Sequence, residues 1–270
     1  MHTRAHGQPP YRVVVVHGGP GAAGDLFAIA RRLATRRGVL EPMQTAASGG
    51  EQVSELTTQI ERQTAPPVTL IGHSWGAWLA ALVAADHPDL VRKLILVGSG
   101  AFEAKYVPML RARRMERLTS AEQLEFESLA QRLNQAEPPS GGLTRLGELA
   151  ARTDVADPVE VETAPYVTPM DGQSIYASVW PEAAAMRRDG QLLHAVCRVA
   201  CPVVAIHGDY DPTPVEGVRE PLERCGIQFR MVVLARCGHE PWRERHAAEA
   251  FYALLEDELH GDAIVGRAQK

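Results

Sequence analysis

Short, uninterrupted apolar runs recur along the chain and alternate with longer segments whose apolar residues repeat at helical spacing. Such runs, rich in β-branched residues, are typical of strands buried on both faces of a parallel sheet. The runs predicted as strands are 12–17, 39–43, 68–71, 94–98, 202–208 and 228–234. Their alternation with helical segments predicts an α/β protein whose mostly parallel sheet is flanked by helices.

Pro42 lies inside the second of these runs and limits where that strand can sit in the sheet. Proline has no amide hydrogen to donate to a ladder, and within sheets it is found at edges, strand starts and bulges. The 39–43 strand is therefore predicted to lie at a sheet edge. The segments predicted as flanking helices are 25–37 (capped by Asp25 and ended by Gly38), 51–64, 75–85 and 244–259.

The alternation of strand-like and helical segments ends at about residue 102. Strand-like runs stop, and charged helical segments interrupted by prolines continue to about residue 195. Overlapping capping-box patterns at Thr119 and Ser120 predict one helix here. The sequence thus predicts a core of residues 1–101 and 196–270, with residues 102–195 inserted as a helical cap over the strand ends.

The composition narrows the classes of function. The 270 residues, 45% hydrophobic and 23% charged, suit one large globular domain with an insertion. A net charge of −5 and a pI near 6.1 argue against a nucleic-acid partner. We expect a small-molecule substrate and a monomer or homodimer. No apolar run approaches membrane-spanning length and the first ten residues lack a secretory apolar segment, so we expect a cytoplasmic protein without a membrane partner.

The four cysteines lack the paired two-residue spacing of zinc sites. Without a secretory signal, they are expected to be reduced and partly buried thiols. They are Cys197, Cys201, Cys225 and Cys237.

The segment Gly72-His-Ser-Trp-Gly76 carries the clearest chemical signal in the sequence. It reads G-x-S-x-G between an apolar strand-like run and an Ala- and Leu-rich helical run, which is the context of a sharp turn that exposes a nucleophilic serine. Glycine is required at both ends of the motif because a Cβ atom would collide with the neighbouring strand or helix. Ser74 is therefore the predicted nucleophile.

A glycine-rich segment, His17-Gly-Gly-Pro-Gly21, follows the first predicted strand directly. It is either a plain tight turn or a loop whose backbone N–H groups approach a ligand closely. In the second case the backbone N–H groups of Gly19 and Trp75 are the predicted oxyanion-hole donors. Gly18 is the alternative for the first of them.

The loops that follow the last two predicted strands contain further candidate catalytic residues. One contains Asp209 and Asp211, and the next contains His239. Strand ends on the carboxyl side are where open α/β sheets place their ligands, so Ser74, an aspartate and His239 are expected to meet there. A serine hydroxyl needs an imidazole to take its proton, and the imidazole needs a carboxylate to hold its tautomer.

In order and local context, these motifs together resemble the α/β-hydrolase superfamily over nearly the whole chain. The resemblance implies the α/β-hydrolase fold with an inserted helical cap, a triad of Ser74, Asp211 and His239, and no metal or organic cofactor. It selects Asp211 over Asp209 because the superfamily's acid follows Gly-x-x. Members usually have two antiparallel strands before the His-Gly loop, and this chain reaches that loop too early for both. The first two strands are therefore expected to be absent, which again places the 39–43 strand at an edge.

Within the superfamily, the His-Gly-Gly-Pro-Gly and Ser-Trp-Gly segments are similar to those of proline iminopeptidases. This chain departs from them in two places. It has His73 where those enzymes usually have a second glycine. Val179-Trp-Pro-Glu182 stands where their cap carries a Trp-rich stretch with an amine-binding glutamate.

The predicted function is a serine hydrolase that cleaves a small ester, thioester or related acyl bond. The alternatives are a proline iminopeptidase-like aminopeptidase and a non-enzymatic ligand receptor on the same fold. His73 and His207 are expected to pack rather than to catalyse, and the arginines at 111, 113, 114 and 117 to form a solvated helix face. The residues predicted to bind substrate are Trp78, Met170, Tyr176, Trp180 and Glu182.

Overall fold

The computed structural model describes residues 2–134, 141–164 and 172–260. Its strands are β1 (His2–His6), β2 (Tyr11–Val16), β3 (Gly38–Met43), β4 (Val68–His73), β5 (Val91–Val97), β6 (Val203–Gly208) and β7 (Phe229–Leu234). They form one sheet in the order β1-β3-β2-β4-β5-β6-β7. Every neighbouring pair is parallel except β1 with β3. The six strands predicted from apolar runs are confirmed as β2 to β7.

Helices cover both faces of this sheet. They are α1 (Phe27–Leu33), α2 (Gly49–Gln63), α3 (Trp75–Asp86), α4 (Val107–Glu116), α5 (Ser120–Asn134), α6 (Gly142–Asp154), α7 (Gly172–Arg188), α8 (Gln191–Val196), α9 (Glu216–Cys225) and α10 (Ala248–His260). Alternate strand residues face opposite sides, so each face has its own apolar cluster. α1 and α10 pack on one face, and α2, α3, α8 and α9 pack on the other.

The prediction that β3 lies at the edge of the sheet is wrong. β1 pairs with β3 along its whole length, from His2 opposite Met43 to His6 opposite Val39. One antiparallel strand therefore precedes the glycine-rich loop, where the sequence had indicated none. The pattern missed β1 because its five residues are polar apart from one alanine and include no β-branched apolar residue.

Side chains on β3 explain why a polar strand pairs there. Glu41 is fully buried, and its carboxylate lies 2.8 Å from His6 Nε2 and 3.4 Å from an Arg4 guanidinium nitrogen. A buried carboxylate is costly unless it is paired, so β1 supplies partners as well as backbone bonds. Pro42 fits because the ladder with β2 ends at Leu40, two residues earlier.

The described residues between β5 and β6 form helices α4 to α8, with a short 3₁₀ turn at Ala104–Tyr106. The capping box predicted near α5 is present, since the Glu122 carboxylate accepts hydrogen bonds from the Thr119 amide and hydroxyl. α7 and α8 contribute to the same buried cluster as α3. The division into a core and a cap at residues 102–195 stays our interpretation.

The expectation of four reduced cysteines is wrong for one pair. Cys197, just after α8, and Cys225, at the end of α9, form a disulfide with a Cα–Cα distance of 4.7 Å. The two are 28 residues apart, and only the packing of α8 against α9 brings them together. Cys201 and Cys237 are free.

None of the helices in the described part of the chain is long and apolar enough to cross a membrane.

Candidate active site

Ser74 occupies a strained turn between β4 and α3. Its φ of 53° and ψ of −114° lie outside the regions that a residue with a Cβ atom normally adopts. Close contacts on both sides hold the turn. A Cβ atom at Gly72 would lie 2.2 Å from the Gly76 carbonyl oxygen, and one at Gly76 would lie 2.2 Å from the Val16 carbonyl oxygen. The steric reason inferred for both glycines is confirmed.

The side chain of His17, the first residue of the glycine-rich loop after β2, holds this loop in place. His17 is buried, its Nδ1 donates to the Gly18 carbonyl oxygen at 2.8 Å, and its Nε2 accepts from the Gln44 amide at 3.2 Å. The loop is thereby tied to the end of β3. Gly19 has a φ of +90°, which suits glycine.

Asp25 does not cap α1, which corrects the sequence prediction. The N-cap residue is Leu26, without a side-chain cap bond. The Asp25 carboxylate instead accepts a hydrogen bond from the Gly18 amide at 3.0 Å. This bond closes the glycine-rich loop and uses the Gly18 N–H group.

The bond between the Gly18 amide and Asp25 affects which N–H group of the loop can serve in the predicted oxyanion hole. With the Gly18 N–H group committed to Asp25, Gly19 is the better of the two loop candidates. Trp75 is the first residue of α3, and the first N–H groups of a helix have no partner inside the helix. Gly19 and Trp75 both line the cavity that Ser74 faces. Their role as donors to an oxyanion stays a prediction.

Asp211 and His239 form a buried pair. His239 Nδ1 donates to Asp211 Oδ2 at 2.8 Å, and the Thr213 amide donates to Asp211 Oδ1 at 2.8 Å. Asp211 is fully buried, and His239 is 9% exposed and lines the same cavity as Ser74. Both oxygens of the carboxylate are therefore used to hold one imidazole and one turn.

Charge and burial have opposite effects on the pKa values of Asp211 and His239. Burial would raise the pKa of Asp211, but the neighbouring His239 and His207 hold it well below its usual range. Burial would lower the pKa of His239, but the Asp211 carboxylate outweighs it and raises that pKa to about 9. Asp211 is therefore an anion whose charge is directed at the imidazole.

Asp209 has a different place. Its side chain is exposed, and its Oδ1 accepts from the Cys237 amide at 3.1 Å. The Tyr210 amide also donates to the Cys237 carbonyl oxygen, so the Asp211 loop and the His239 loop are tied together. Asp209 fixes the loops, whereas Asp211 contacts the histidine.

Both other histidines near the site pack as expected. His73 is buried, its Nε2 donates to the His239 carbonyl oxygen at 3.2 Å, and its ring meets Trp242 edge-on. His207 Nε2 donates to the Thr213 carbonyl oxygen at 2.8 Å. These contacts hold the backbone of the two loops that carry His239 and Asp211.

The arginines on and after α4 do not form a solvated face, which corrects the sequence prediction. Arg113, Arg114 and Arg117 are half-buried, and only Arg111 is exposed. Arg113 donates to the Asp211 carbonyl oxygen at 3.2 Å, and Arg114 pairs with Asp154 at 2.8 Å. Helical spacing did not reveal this because the covering residues come from distant parts of the chain.

A cavity of about 680 Å³ lies between the strand ends and helices α4 to α7. Among the predicted substrate-binding residues, Trp78, Tyr176 and Trp180 line it. Their rings stack in series, with Trp78 against Trp180 at 6.3 Å and Trp180 against Tyr176 at 5.6 Å between centroids. Met170 lies outside the described residues.

Glu182 is placed elsewhere. Its carboxylate accepts a hydrogen bond from the Gly49 amide at 2.7 Å, at the start of α2, and it is not among the described residues that line the cavity. A carboxylate at a helix N-terminus is well stabilised by the free amide groups there. The substrate-binding role predicted for Glu182 has no support in this geometry.

Sequence reasoning missed four charged residues on the cavity wall: Asp25, Asp154, Arg187 and Glu240. No local motif marks them, since each is defined by what surrounds it in the fold. Within the described residues, no three His, Cys, Asp or Glu side chains are grouped so that they could hold a metal ion.

Known proteins share this sequence pattern and this fold. A pimeloyl-[acyl-carrier protein] methyl ester esterase of Neisseria meningitidis serogroup C is 28% identical over 220 residues, 75% of this chain and 73% of that protein. The crystal structure of VinJ has a TM-score of 0.69 at 18% identity, covering 96% of this chain and 94% of that one. A proline iminopeptidase from Mycobacterium smegmatis has a TM-score of 0.63 at 20% identity, covering 97% and 95%.

The sequence model of the α/β-hydrolase fold family matches residues 55–241, well over half of the chain. The structural neighbours share the fold, and the parallel sheet with its strand–turn–helix at Ser74 agrees with the match. The chain belongs to the α/β-hydrolase fold family.

Proposed function

We propose that this protein is a serine hydrolase that cleaves a small ester, thioester or related acyl bond through an acyl-enzyme. Membership of the family and the esterase relative support hydrolysis. The observation that carries the triad is the 2.8 Å bond between His239 and Asp211 beside a cavity that Ser74 also lines. A cytoplasmic location stays a prediction.

The proposed chemistry has two steps. Ser74 Oγ attacks the acyl carbon while His239 Nε2 takes its proton, and the same proton passes to the departing alcohol or thiol. Water then attacks the acyl-enzyme, again giving a proton to His239, which returns it to Ser74 as the acid leaves. The N–H groups of Gly19 and Trp75 stabilise the oxyanion in both steps. One water is consumed for each acid and alcohol formed.

The ion pairs on the cavity wall favour an acyl substrate without a free amine over an aminopeptidase substrate. A free amine is expensive to desolvate unless a carboxylate meets it. Of the three carboxylates that the described residues place on the wall, two are ion-paired, Asp154 with Arg114 and Glu240 with Arg243. The third, Asp25, accepts from the Gly18 amide through Oδ2, and its Oδ1 is buried without a hydrogen bond.

We expect short-chain esters to be turned over with at least about tenfold higher kcat/KM than proline p-nitroanilide. This gap corresponds to roughly 1.4 kcal/mol of transition-state binding. It arises because the ester needs only an apolar cleft, which the stacked aromatic rings provide. The measurement is steady-state hydrolysis of p-nitrophenyl acetate, butyrate and hexanoate beside the anilide.

The variant Glu182→Gln is the matched test of the aminopeptidase alternative. If the anilide is the better substrate and Glu182→Gln selectively abolishes its hydrolysis, this protein is an aminopeptidase and the ester proposal is wrong. If both substrate types respond equally to the variant, Glu182 acts only through α2.

The pH dependence follows from the state of His239. Only the neutral imidazole can accept the Ser74 proton, and Asp211 raises the pKa of His239 to about 9. For an uncharged ester, kcat/KM is therefore expected to rise with pH by about tenfold per unit until the imidazole is neutral. Initial rates across about pH 6 to 10 measure this. A flat profile over that range would rule out His239 as the base with this pKa.

A further inference from the structure

Three arginines in the described part of the chain line the cavity, and they differ in their partners. Arg111 pairs with Glu127 at 2.9 Å, and Arg114 pairs with Asp154 at 2.8 Å. No acidic side chain of the described residues forms an ion pair with Arg187, the third of them. Its Nε is buried and makes no hydrogen bond. At this nitrogen the guanidinium has lost water without gaining a partner among the described residues.

Aromatic rings hold this guanidinium in place. Arg187 lies 5.5 Å from the centroid of Trp78 and 5.8 Å from that of Trp180, within cation–π range of both. The rings are fixed in turn, since Trp78 Nε1 donates to the Gly100 carbonyl oxygen at 2.9 Å. Burial lowers the pKa of Arg187, and the guanidinium remains the charged form at neutral pH. A guanidinium that packs against aromatic rings can still donate from its N–H edge to a planar anion.

The location of Arg187 connects it to the nucleophile. Trp78 is one helical turn after Ser74 on α3, about 6 Å along the helix axis. The same cavity is lined by Ser74, Trp78, Trp180 and Arg187. A ligand in this cavity can therefore reach the serine at one point and the guanidinium at another, with aromatic surface between them.

We propose that Arg187 is a specificity site for an anionic group, a carboxylate or a phosphate, carried by the substrate at a distance from the bond that Ser74 cleaves. The inference rests on the proposed hydrolase function and names its substrate class: acyl esters or thioesters with an apolar stem and a charged end. The apolar stem lies along the stacked rings, and the anion supplies the charge partner that Arg187 does not find among the described residues. The anion takes no part in bond breaking.

The test compares pairs of esters that differ only in charge. Monomethyl esters of dicarboxylic acids from succinate to suberate are measured beside the methyl esters of monocarboxylic acids of matched length. The ratio of kcat/KM values, anionic over neutral, is determined for the wild type, Arg187→Gln, Arg187→Lys and Arg188→Gln. Arg188 is the matched control because it is the next residue of α7, is exposed, and pairs with Asp189 on the surface.

In Arg187→Gln the ratio is expected to fall by at least about tenfold, equivalent to roughly 1.4 kcal/mol. Arg187→Lys should keep part of the preference, since it retains charge without the bidentate fork. Arg188→Gln should change the ratio by less than about twofold, because screened surface charge contributes little. A fall of equal size for both esters in Arg187→Gln would show that the residue only supports Trp78 and Trp180, and it would overturn the proposal.

Binding provides a readout that does not depend on turnover. In a Ser74→Ala background, calorimetry measures adipate and butyl phosphate, with butanol as the neutral reference. Tighter binding of adipate identifies a carboxylate site, and tighter binding of the phosphate identifies a phosphate site. If neither anion binds better than butanol, the anion site does not exist.

The two proposals fail separately. If a fluorophosphonate probe labels Ser74 and neutral esters are hydrolysed without any preference for anionic ones, only the Arg187 inference is wrong. If Ser74 is not labelled, the hydrolase proposal itself fails.

Discussion

Replacing Ser74 by alanine is expected to lower kcat for ester hydrolysis by about 10⁴- to 10⁶-fold and to abolish covalent labelling by a fluorophosphonate probe. The hydroxyl is the proposed nucleophile, and no other group in a triad can replace it. The fold should be unaffected, because serine and alanine both carry a Cβ atom and tolerate the φ of 53° at this position equally. Intact-protein mass spectrometry and steady-state rates measure the two effects.

Ser54→Ala is the control for this experiment. Ser54 is exposed on α2, and its hydroxyl donates to the Gly50 carbonyl oxygen of the same helix. This variant should label and turn over like the wild type. Equal labelling of the wild type and Ser74→Ala would exclude Ser74 as the nucleophile. A wild type that neither labels nor hydrolyses any ester would favour the non-enzymatic receptor.

Asp211→Asn is expected to cost about 10⁴-fold in kcat. The asparagine oxygen can still accept from the Thr213 amide, so the turn should persist. Its NH₂ group would then face His239 Nδ1–H, where two donors repel and the imidazole is forced into the wrong tautomer. The charge that raises the pKa of His239 is lost at the same time.

Asp209→Asn is the matched variant, with the same chemical change two residues away. The amide oxygen of asparagine can accept from the Cys237 amide as Asp209 does. A loss of less than about tenfold is therefore expected, since Asp209 does not contact the histidine. Thermal unfolding of both variants should be followed alongside the rates. A larger loss for Asp209→Asn than for Asp211→Asn would identify Asp209 as the triad acid.

Glu182 and Arg187 lie on the same helix, α7, but their side chains contact different parts of the fold. From the sequence, Glu182 beside Trp180 was the nearest match to an amine-binding glutamate. In the fold, its carboxylate binds the N-terminus of α2, and the charge that faces the cavity from α7 is that of Arg187. Glu182, which the sequence predicted to bind a cation, and Arg187, which we propose to bind an anion, are therefore only five residues apart on one helix.

Much of the architecture could be predicted from local pattern. Strands β2, β4, β5 and β6 contain continuous apolar runs because both faces of a central strand are covered, and that leaves a signature in the sequence itself. β7 also has an apolar run, but it lies at the edge of the sheet and is only partly buried. The turn at Ser74 could be predicted for a similar reason, since the close contacts at Gly72 and Gly76 allow only glycine. Motif order nominated His239 and one of two aspartates, and the resemblance to the α/β-hydrolase superfamily selected Asp211.

Other features depended on contacts between distant segments. β1 is polar and exists as a strand because β3 offers it a ladder and a buried Glu41 to pair with. Asp25 closes the glycine-rich loop instead of capping α1, and Cys197 meets Cys225 through the packing of two helices.

The sequence by itself determined the α/β order, the strained serine turn and the residue types of the proposed triad, because each rests on backbone sterics or on burial along one segment. The tertiary structure decided which edge of the sheet is covered, which carboxylates are ion-paired, and that no acidic side chain in the described part of the chain pairs with Arg187. These properties belong to pairs of residues far apart in the chain. Their energies arise from desolvation and charge pairing, which exist only once the chain has brought the partners together.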